Sequence, residues 1–398
     1  MSVGTSKHEP VLIAGAGIAG LCAALGLLRA GVPVRVLEQA AELREVGAAV
    51  SLAPNATRAL DSLGVKDALR AAANRPQRAA MKHYHSGETL SAYDMGDAME
   101  QRWGQPYLQL LRADLHKVLA DELQRLDSTA LVLGARVDGV RQHGDRVSVD
   151  TPAGRFESHC LIGADGVRSG VRAALHGDGA PQFTGYVAWR GVVPAESLRN
   201  PDFTPDSAVF LGPHRSLLRY RVRGQTAVNV VAFARVDSWI EEGWSLPADP
   251  AELREHFAGW HEEAADMIDG LCRSGVFKWG LFGRAALPGW QQGRVTLLGD
   301  AAHPMLPFLG QGAAMAIEDG VMLARALSTA LAKGLGVEAG LACYERLRYA
   351  RATNTVKRSD AHGLRLHRHF VDAADDAPVP RDDFLEFDFD AATTPLDI

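Results

Sequence analysis

The stretch PVLIAGAGIAGLCAALGLLRAGVPVRVLEQA, residues 10–40, joins an apolar run, a glycine-rich turn, a helical pattern and a second β-rich run. This order predicts a strand–helix–strand unit. Gly15, Gly17 and Gly20 match G-x-G-x-x-G: the first allows a tight turn, the second lets a pyrophosphate approach the backbone, and the third lets helix and strand pack closely. Glu38 ends the second strand, where an acid can bind ribose hydroxyls. The unit therefore predicts dinucleotide binding rather than a merely structural turn, with an unphosphorylated ribose as in FAD or NAD.

Composition places the chain among ordinary globular proteins. Its 398 residues are enough for two or three domains, and 47% are hydrophobic and 23% charged. A formal net charge of -6 disfavours nucleic acid as a partner. No stretch approaches the roughly 20 apolar residues of a membrane span, so no membrane association is expected. Scattered cysteines without CxxC pairing indicate reduced thiols and a cytoplasmic location; they are Cys22, Cys160, Cys272 and Cys343.

Two further loops carry candidate chemistry. In GDAAHPMLPFLGQGAAMAIEDG, residues 299–320, Asp300 follows a strand-like run, and a helix is predicted from about Gly312 to Lys333. Asp300 can accept hydrogen bonds from a ligand's hydroxyls, although a helix N-cap or a solvated loop acid is the alternative. His303 either packs as a satisfied residue or faces a ligand. In GADGVRSGVR, residues 163–172, the D-G pair by itself indicates only a turn.

The β-rich runs between residues 182 and 281 predict an antiparallel sheet inserted among the nucleotide-binding pieces. The predicted fold class is α/β: a Rossmann-like domain with an inserted, mainly antiparallel β-sheet substrate domain and C-terminal helices. An acidic tail with Phe384, Phe387 and Phe389 is expected to lie over the body as an extended arm. The predicted division is 1–73, 108–181 and 282–333 for the nucleotide-binding domain, 74–107 and 182–281 for the substrate domain, and 334–398 for the C-terminal helix and tail.

A further motif is YVAWRGVVP at 186–194. With these motifs together, the chain resembles the single-component FAD-dependent aromatic hydroxylases, the family of para-hydroxybenzoate hydroxylase. Within that family it most closely resembles the salicylate and 3-hydroxybenzoate hydroxylase branch. The resemblance covers nearly the whole chain. It implies that Asp300 reaches the ribityl chain of FAD, that Arg112 meets the phosphates or ribityl region, and that Asp165 lies in a motif that touches both FAD and the nicotinamide donor. The full predicted cofactor set is Gly15, Gly17, Gly20, Glu38, Arg112, Asp165, Asp300, Gly310, Gln311, Gly312 and Ala313.

The resemblance also implies the reaction. NAD(P)H binds transiently, reduces bound FAD and leaves; reduced flavin then forms a hydroperoxide with dioxygen and transfers one oxygen to a small electron-rich ring, a phenolic acid or a hydroxylated N-heterocycle. Such a site must exclude water. Two alternatives stay open: a flavin oxidase or dehydrogenase of the same fold, and a flavin-binding protein without turnover. No metal site is expected, and a monomer or a homodimer is compatible with the sequence.

The predicted catalytic set is Tyr220, His214, His303 and Pro307. In the resembling family the segment at 212–224 commonly carries a histidine four residues before the tyrosine, followed by a proline. Here Ser216 stands at the histidine position and Arg221 at the proline position, which puts a His–Tyr pair in doubt. His214 can replace that histidine only if the loop is remodelled; otherwise it is a surface residue. Tyr220 binds the substrate or packs in the sheet core.

Basic residues elsewhere have ordinary interpretations. Arg190, Arg219 and Arg221 include possible partners for a carboxylate, but strand arginines are usually solvated. Because side chains alternate along a strand, the last two are expected to point away from Tyr220, towards solvent. The histidines of HGLRLHRHF lack a carboxylate at ligand spacing and predict an exposed basic helix rather than a metal site; they are His362, His367 and His369.

Overall fold

A computed structural model describes residues 9–43, 49–177, 179–239, 246–368 and 384–398. Its strands are β1 Val11–Ala14, β2 Val34–Leu37, β3 Ala49–Leu52, β4 Arg78–His83, β5 Thr89–Asp94, β6 Leu108–Leu111, β7 Leu131–Val132, β8 Gly139–His143, β9 Arg146–Thr151, β10 Gly154–Ser158, β11 Leu161–Gly163, β12 Gln182–Pro194, β13 Ser207–Gly212, β14 Arg215–Val222, β15 Ala227–Arg235, β16 Leu246–Pro247, β17 Phe277–Gly283, β18 Gln291–Gln292 and β19 Val295–Leu297.

The α-helices are α1 Ile18–Arg29, α2 Pro54–Ser62, α3 Lys66–Ala72, α4 Asp97–Trp103, α5 Arg112–Leu126, α6 Gly170–His176, α7 Pro250–His256, α8 Glu262–Ser274, α9 Gly312–Ala332 and α10 Val337–Arg368. Short 3₁₀ turns occur at Ala195–Ser197, Gly299–Ala301, Pro307–Leu309 and Leu385–Asp388. No helix in the described part of the chain is long and apolar enough to cross a membrane.

The strand–helix–strand unit lies at the centre of a six-stranded sheet with the order β18-β19-β11-β1-β2-β7. β1 pairs in parallel with β2 and β11, and all four of its residues are buried, as expected for a central parallel strand. Helices α1, α5 and α9 pack together on this unit. Their apolar faces and the strands form one core, to which Val147 and Val149 of the β10-β9-β8 sheet also contribute.

The second large sheet has eight strands in the order β16-β17-β12-β15-β14-β13-β4-β5. Its pairs are antiparallel except β13 with β4. Alternate side chains give it two faces. One face packs on α7 and α8 through a core that includes Trp189, Leu217 and Phe257. The other, called here the inner face, packs on Leu306, Phe308 and Leu111 of the nucleotide-binding part.

The C-terminal helix connects both parts. Helix α10 has 32 residues and is therefore about 48 Å long at 1.5 Å per residue. It packs on α9, then on the Pro307–Leu309 turn, and finally on β13 and β14. The described end of the tail, residues 384–398, also lies on the body, with Phe387 against Trp103 at 5.2 Å between ring centroids. This end is not extended throughout, because Leu385–Asp388 forms a turn that buries Phe387, and the remainder of the expected arm lies outside the described residues. The predicted fold class is confirmed, whereas the residue boundaries of the domains stay a prediction.

Candidate active site

The glycine loop between β1 and α1 has two kinds of glycine. Gly15 has a φ of +100°, and a Cβ on it would lie 2.5 Å from the carbonyl oxygen of Ala164. A Cβ on Gly20 would lie 2.0 Å from the carbonyl oxygen of Gly15, so neither position has room for a side chain. A Cβ on Gly17, by contrast, meets nothing within 4 Å. Gly15 and Gly20 therefore serve close packing, while Gly17 leaves open space at the N-terminus of α1, as a pyrophosphate requires.

Glu38 lies directly beside this loop. One carboxylate oxygen accepts a hydrogen bond from the backbone N–H of Ala16 at 2.8 Å, and the other accepts from Ala40 N–H at 2.9 Å. Each oxygen keeps a lone pair for a ribose hydroxyl. The buried His116 of α5 also contacts this loop, because its Nε2 lies 2.7 Å from the carbonyl oxygen of Ala16. Sequence reasoning missed His116, since a single histidine in a helix carries no motif.

The Gly299–Ala301 turn carries the predicted cofactor-binding acid Asp300. Among the described residues, no side chain or backbone group bonds or pairs with the half-buried carboxylate of Asp300. A few residues later, Gly310 has a φ of +63° and ends the Pro307–Leu309 turn. Helix α9 follows, without a side-chain cap on its first N–H groups. An unpaired carboxylate and free N–H groups can meet the hydroxyls and the electron-rich ring edge of FAD.

A cluster of buried charges lies beneath these two turns. Arg348 donates from Nε to Asp319 Oδ1 at 2.8 Å and from Nη1 to Glu318, and all three side chains are fully buried. Asp319 also accepts from the backbone N–H of Gly299 at 3.0 Å and contacts Nε2 of His303 at 2.5 Å. Burial raises the pKa of Asp319, but the charges and hydrogen bonds of His303 and Arg348 outweigh it and lower the pKa to about 2. His303 thus contacts the acid that also bonds the start of the Asp300 turn, and a catalytic part for His303 stays a prediction.

The same cluster reaches the start of α9. Glu318 accepts a hydrogen bond from Asn55 Nδ2 at 2.6 Å, and that amide also contacts Gln311 Oε1 at 3.2 Å. Gln311 is buried, so its side chain supports the helix start from inside the protein. Contact of Gln311, Gly312 and Ala313 with a flavin stays a prediction.

The GADG loop packs against the Asp300 turn. Asp165 accepts hydrogen bonds from the Ser169 hydroxyl and from Val171 N–H, the latter at 3.1 Å. Burial raises the pKa of Asp165, while these hydrogen bonds oppose the rise. The buried guanidinium of Arg172 bonds the carbonyl oxygen of Ala301 at 3.1 Å and joins the two loops. Asp165 thus shapes its loop, and its contact with FAD, like that of the half-exposed Arg112 at the start of α5, stays a prediction.

The inner face of the large sheet carries several polar groups in an apolar wall. Tyr220 is buried there; burial and the nearby Tyr107 raise its pKa, while a hydrogen bond with Ser51 opposes the rise. Asn229 lies opposite Tyr220 in the neighbouring strand, and its buried Nδ2 has no hydrogen-bond partner among the described residues. Both side chains are buried between the sheet and the nucleotide-binding part, and contact of Tyr220 with a substrate stays a prediction.

The three strand arginines divide between the two faces. Arg190 lies on the inner face with its guanidinium 4.5 Å from the ring centroid of Trp279. Arg219 and Arg221 lie on the opposite face, as predicted from alternation, 4.0 and 4.1 Å from the ring centroid of Phe203. The expectation that both reach solvent is wrong for Arg219. Its guanidinium is fully buried and donates to Glu263 of α8, because that helix covers this face.

A cavity of about 140 Å³ lies between the GADG loop, β17 and the Pro307 turn. Trp279, Leu281, Leu306 and Pro307 form its apolar side, and Arg168 and Arg284 also line it. Pro307 is thereby placed beside the inner face of the sheet. A catalytic part for Pro307 stays a prediction.

The histidines differ from their expected settings. His214 occupies the β13–β14 turn with a φ of +57°, and its backbone N–H donates to the carbonyl oxygen of His367 at 3.1 Å. His362 and His367 are buried, so the expectation of an exposed helix is wrong for both, because this end of α10 packs on the sheet. His369 lies outside the described residues. No group of three or more metal-ligating side chains occurs in the described ranges.

Comparison with known proteins identifies the family, since the model of the FAD binding domain family matches residues 8–359. The chain belongs to this family. A 3-amino-4-hydroxybenzoate 2-monooxygenase of Streptomyces platensis is 36% identical over 91% of this chain and 90% of its own length. A 3-hydroxybenzoate 6-hydroxylase of Polaromonas naphthalenivorans is 35% identical over 91% and 89%. The crystal structure of Klebsiella pneumoniae HpxO with FAD and uric acid matches with a TM-score of 0.81, at 25% identity over 92% of this chain and 91% of that one.

The chain is accordingly an FAD-dependent aromatic-ring monooxygenase, and NAD(P)H is the reductant typical of its family. The site fits this cofactor on its own geometry. Gly17 leaves room for phosphates, Glu38 offers acceptors for a ribose, and the Asp300 carboxylate has no partner in the part of the chain that the structure describes.

Proposed function

We propose that this enzyme hydroxylates a small aromatic acid that carries both a ring hydroxyl and a carboxylate. The observation that carries this proposal is Arg190, the strand arginine that lies on the inner face. A guanidinium binds a carboxylate through charge-assisted hydrogen bonds. Arg219 and Arg221 point to the other face, so they are not available to the same ligand.

Residues of the nucleotide-binding part are proposed to hold FAD. The glycine loop and Glu38 bind the adenosine and pyrophosphate end, and Asp300 accepts hydrogen bonds from the ribityl hydroxyls. Arg112, Asp165 and the start of α9 lie along the remainder. FAD, when bound, takes electrons from NAD(P)H and activates dioxygen for insertion into the ring.

The substrate-facing residues position the ring and keep water away. Tyr186, Phe233 and Phe308 form an aromatic cluster on the inner face, with Tyr186 and Phe308 5.9 Å apart between centroids. Tyr220 keeps its proton at neutral pH because burial raises its pKa, so its hydroxyl can donate to a substrate oxygen. The Nδ2 group of Asn229 can donate a second hydrogen bond. An apolar, closed site protects the oxygen-transfer step from water.

The relatives support this substrate class. The names of the Streptomyces platensis and Polaromonas naphthalenivorans relatives both describe benzoates that carry a ring hydroxyl. The four cysteines of the chain are free thiols, which supports the further proposal that the enzyme works in the cytoplasm.

A panel of paired substrates tests the proposal. Each hydroxybenzoate is compared with the hydroxybenzyl alcohol of the same substitution pattern, by NADH and NADPH oxidation, oxygen uptake and mass spectrometry of the product. We expect the acids to be hydroxylated. Arg190→Met should raise KM for the acid by about 10-fold to 100-fold, because a hydrogen bond to a charged group contributes about 1.5–3 kcal/mol, and should leave KM for the alcohol unchanged.

Arg221→Met is the matched control, since Arg221 also lies over an aromatic ring but on the opposite face. The substrate proposal is wrong if wild-type enzyme treats acid and alcohol alike or if Arg190→Met affects both equally. Reduction of the flavin by a substrate in the absence of NAD(P)H and oxygen would instead indicate an oxidase or dehydrogenase.

A further inference from the structure

The last turns of α10 bring an imidazole to the inner face of the sheet. Nε2 of His367 lies 3.1 Å from the hydroxyl oxygen of Ser216 on β14, and both side chains are buried. The two residues are 151 positions apart in the chain. The imidazole stacks on Tyr186 at 4.6 Å between centroids and meets the edge of Phe308 at 5.1 Å.

Ser216 lies on the same face as Tyr220. Side chains alternate along β14, so Ser216, Leu218 and Tyr220 share one face, while Leu217 and Arg219 share the other. Ser216 stands where the resembling hydroxylases commonly have a histidine. In this chain, the hydroxyl at that position is connected to an imidazole from another element.

We propose that Ser216 and His367 form the proton relay that ionises the ring hydroxyl of the substrate. This inference rests on the proposed function, because it assumes a phenolic substrate on the inner face. It gives helix α10 a role in catalysis in addition to its role in packing.

The proton transfer balances within the three groups. The substrate O–H bond breaks and its proton passes to the Ser216 oxygen, while the Ser216 hydroxyl proton passes to Nε2 of His367. The electron pair of the broken bond stays on the ring oxygen as a phenolate, and His367 becomes an imidazolium. The phenolate donates electron density to the ring carbon that receives the oxygen atom, which favours attack by an electrophile.

The surroundings of His367 favour a neutral imidazole before substrate binds. Burial is the main cause that lowers its pKa to about 4; His214 and His362 lower it further, and the Gly363 carbonyl opposes this. Tyr186 is the titratable group that faces the ring from β12. At neutral pH the imidazole is therefore unprotonated, and Nε2 has a lone pair for the Ser216 hydroxyl. A phenolate formed beside it favours the imidazolium, because an opposite charge nearby raises the pKa of a histidine.

Two single variants, and a double variant compared with His367→Ala, test the relay in the holoenzyme. His367→Gln should lower kcat/KM for a hydroxybenzoate at pH 7 by about 100-fold or more, in the range of general base catalysis, while FAD content and the melting temperature stay near those of wild type. Ser216→Ala should lower it as well. The double variant Ser216→His with His367→Ala moves an imidazole onto the strand and should recover at least about tenfold over His367→Ala alone.

The pH profile separates chemistry from structure. The kcat/KM of wild type should be nearly flat between pH 6 and pH 8, since its base is already neutral there. For His367→Gln, kcat/KM should rise about tenfold per pH unit towards the pKa of the phenol, because only pre-ionised substrate then reacts. The difference absorbance of bound substrate gives a second measurement: a phenolate band should appear with wild type and not with His367→Gln.

His362→Gln is the control, because His362 is also a buried histidine of α10. If wild type hydroxylates a phenolic acid but His367→Gln keeps its rate, its flat pH profile and the phenolate band, the relay is overturned and the proposed function stands. If wild type hydroxylates no phenolic acid, the proposed function itself fails.

Discussion

Arg348→Met is the substitution that most directly tests the buried charge cluster. The guanidinium of Arg348 bonds two carboxylates, Glu318 and Asp319, and also lies 3.4 Å from the carbonyl oxygen of Met315. Removal of this cation leaves Asp319 in contact with His303, and Glu318 paired with Arg351. Methionine fills much of the same volume, so the main change is in charge.

The expected cost follows from burial. All three charged side chains are fully buried, and removal of one partner from a buried pair costs about 3–5 kcal/mol. The pKa of Asp319 gives a second value, for the contribution of this carboxylate to the free energy of unfolding. That pKa falls from an ordinary 3.8 to about 2. At 1.36 kcal/mol per unit this corresponds to about 2 kcal/mol of stability, present above pH 4 and lost as the pH falls through 2.

Urea unfolding of the holoenzyme, followed by flavin fluorescence and circular dichroism, measures the effect. We expect Arg348→Met to lower the free energy of unfolding by about 3–5 kcal/mol at pH 7. The deficit should shrink towards pH 4.5, because burial without the arginine raises the pKa of the carboxylates and they become protonated. The exposed Lys357 on the same helix serves as control, and Lys357→Met should change stability by less than about 0.5 kcal/mol. A deficit below about 1 kcal/mol, or one that is equal at both pH values, would refute the reasoning.

Three other perturbations have clear expectations. Gly17→Ala should keep the fold of the apoprotein but lower FAD affinity, measured by titration, at least about tenfold, because its Cβ enters the open space that the phosphates need. Gly20→Ala should instead prevent folding, because its Cβ would lie 2.0 Å from a carbonyl oxygen. Equal effects of the two would contradict this. Asp300→Ala should yield protein with less bound FAD, measured by the ratio of 450 to 280 nm absorbance, at an unchanged apoprotein melting temperature; full FAD content would argue against a ribityl contact. Arg219→Met should destabilise the sheet by less than the about 3–5 kcal/mol of a fully broken buried pair, because Lys82 still pairs with Glu263. Thermal and urea unfolding measure the change, and an unchanged unfolding midpoint would count against the Arg219–Glu263 pairing.

Local patterns in the sequence were sufficient for the fold class and for the loops proposed to hold the cofactor. The apolar run, the glycine spacing and Glu38 predict the strand–helix–strand unit, because these features lie within one contiguous stretch. Alternating β-rich runs likewise predict the inserted sheet. The turn around Asp300 could also be found, since an acid at the end of a strand before a helix is a local signal.

Only the tertiary structure decided which side chains meet across the chain. Alternation separates Tyr220 from Arg219, but only the position of α8 shows that Arg219 is buried. Arg348 lies 29 and 30 positions from the two carboxylates it bonds. Ser216 and His367 lie 151 positions apart. The sequence pattern of α10 does not show what the last turns of this helix pack against, so the sequence predicts that its histidines are exposed. Packing of that helix on the sheet buries them, and burial determines their charge and the chemistry they can perform.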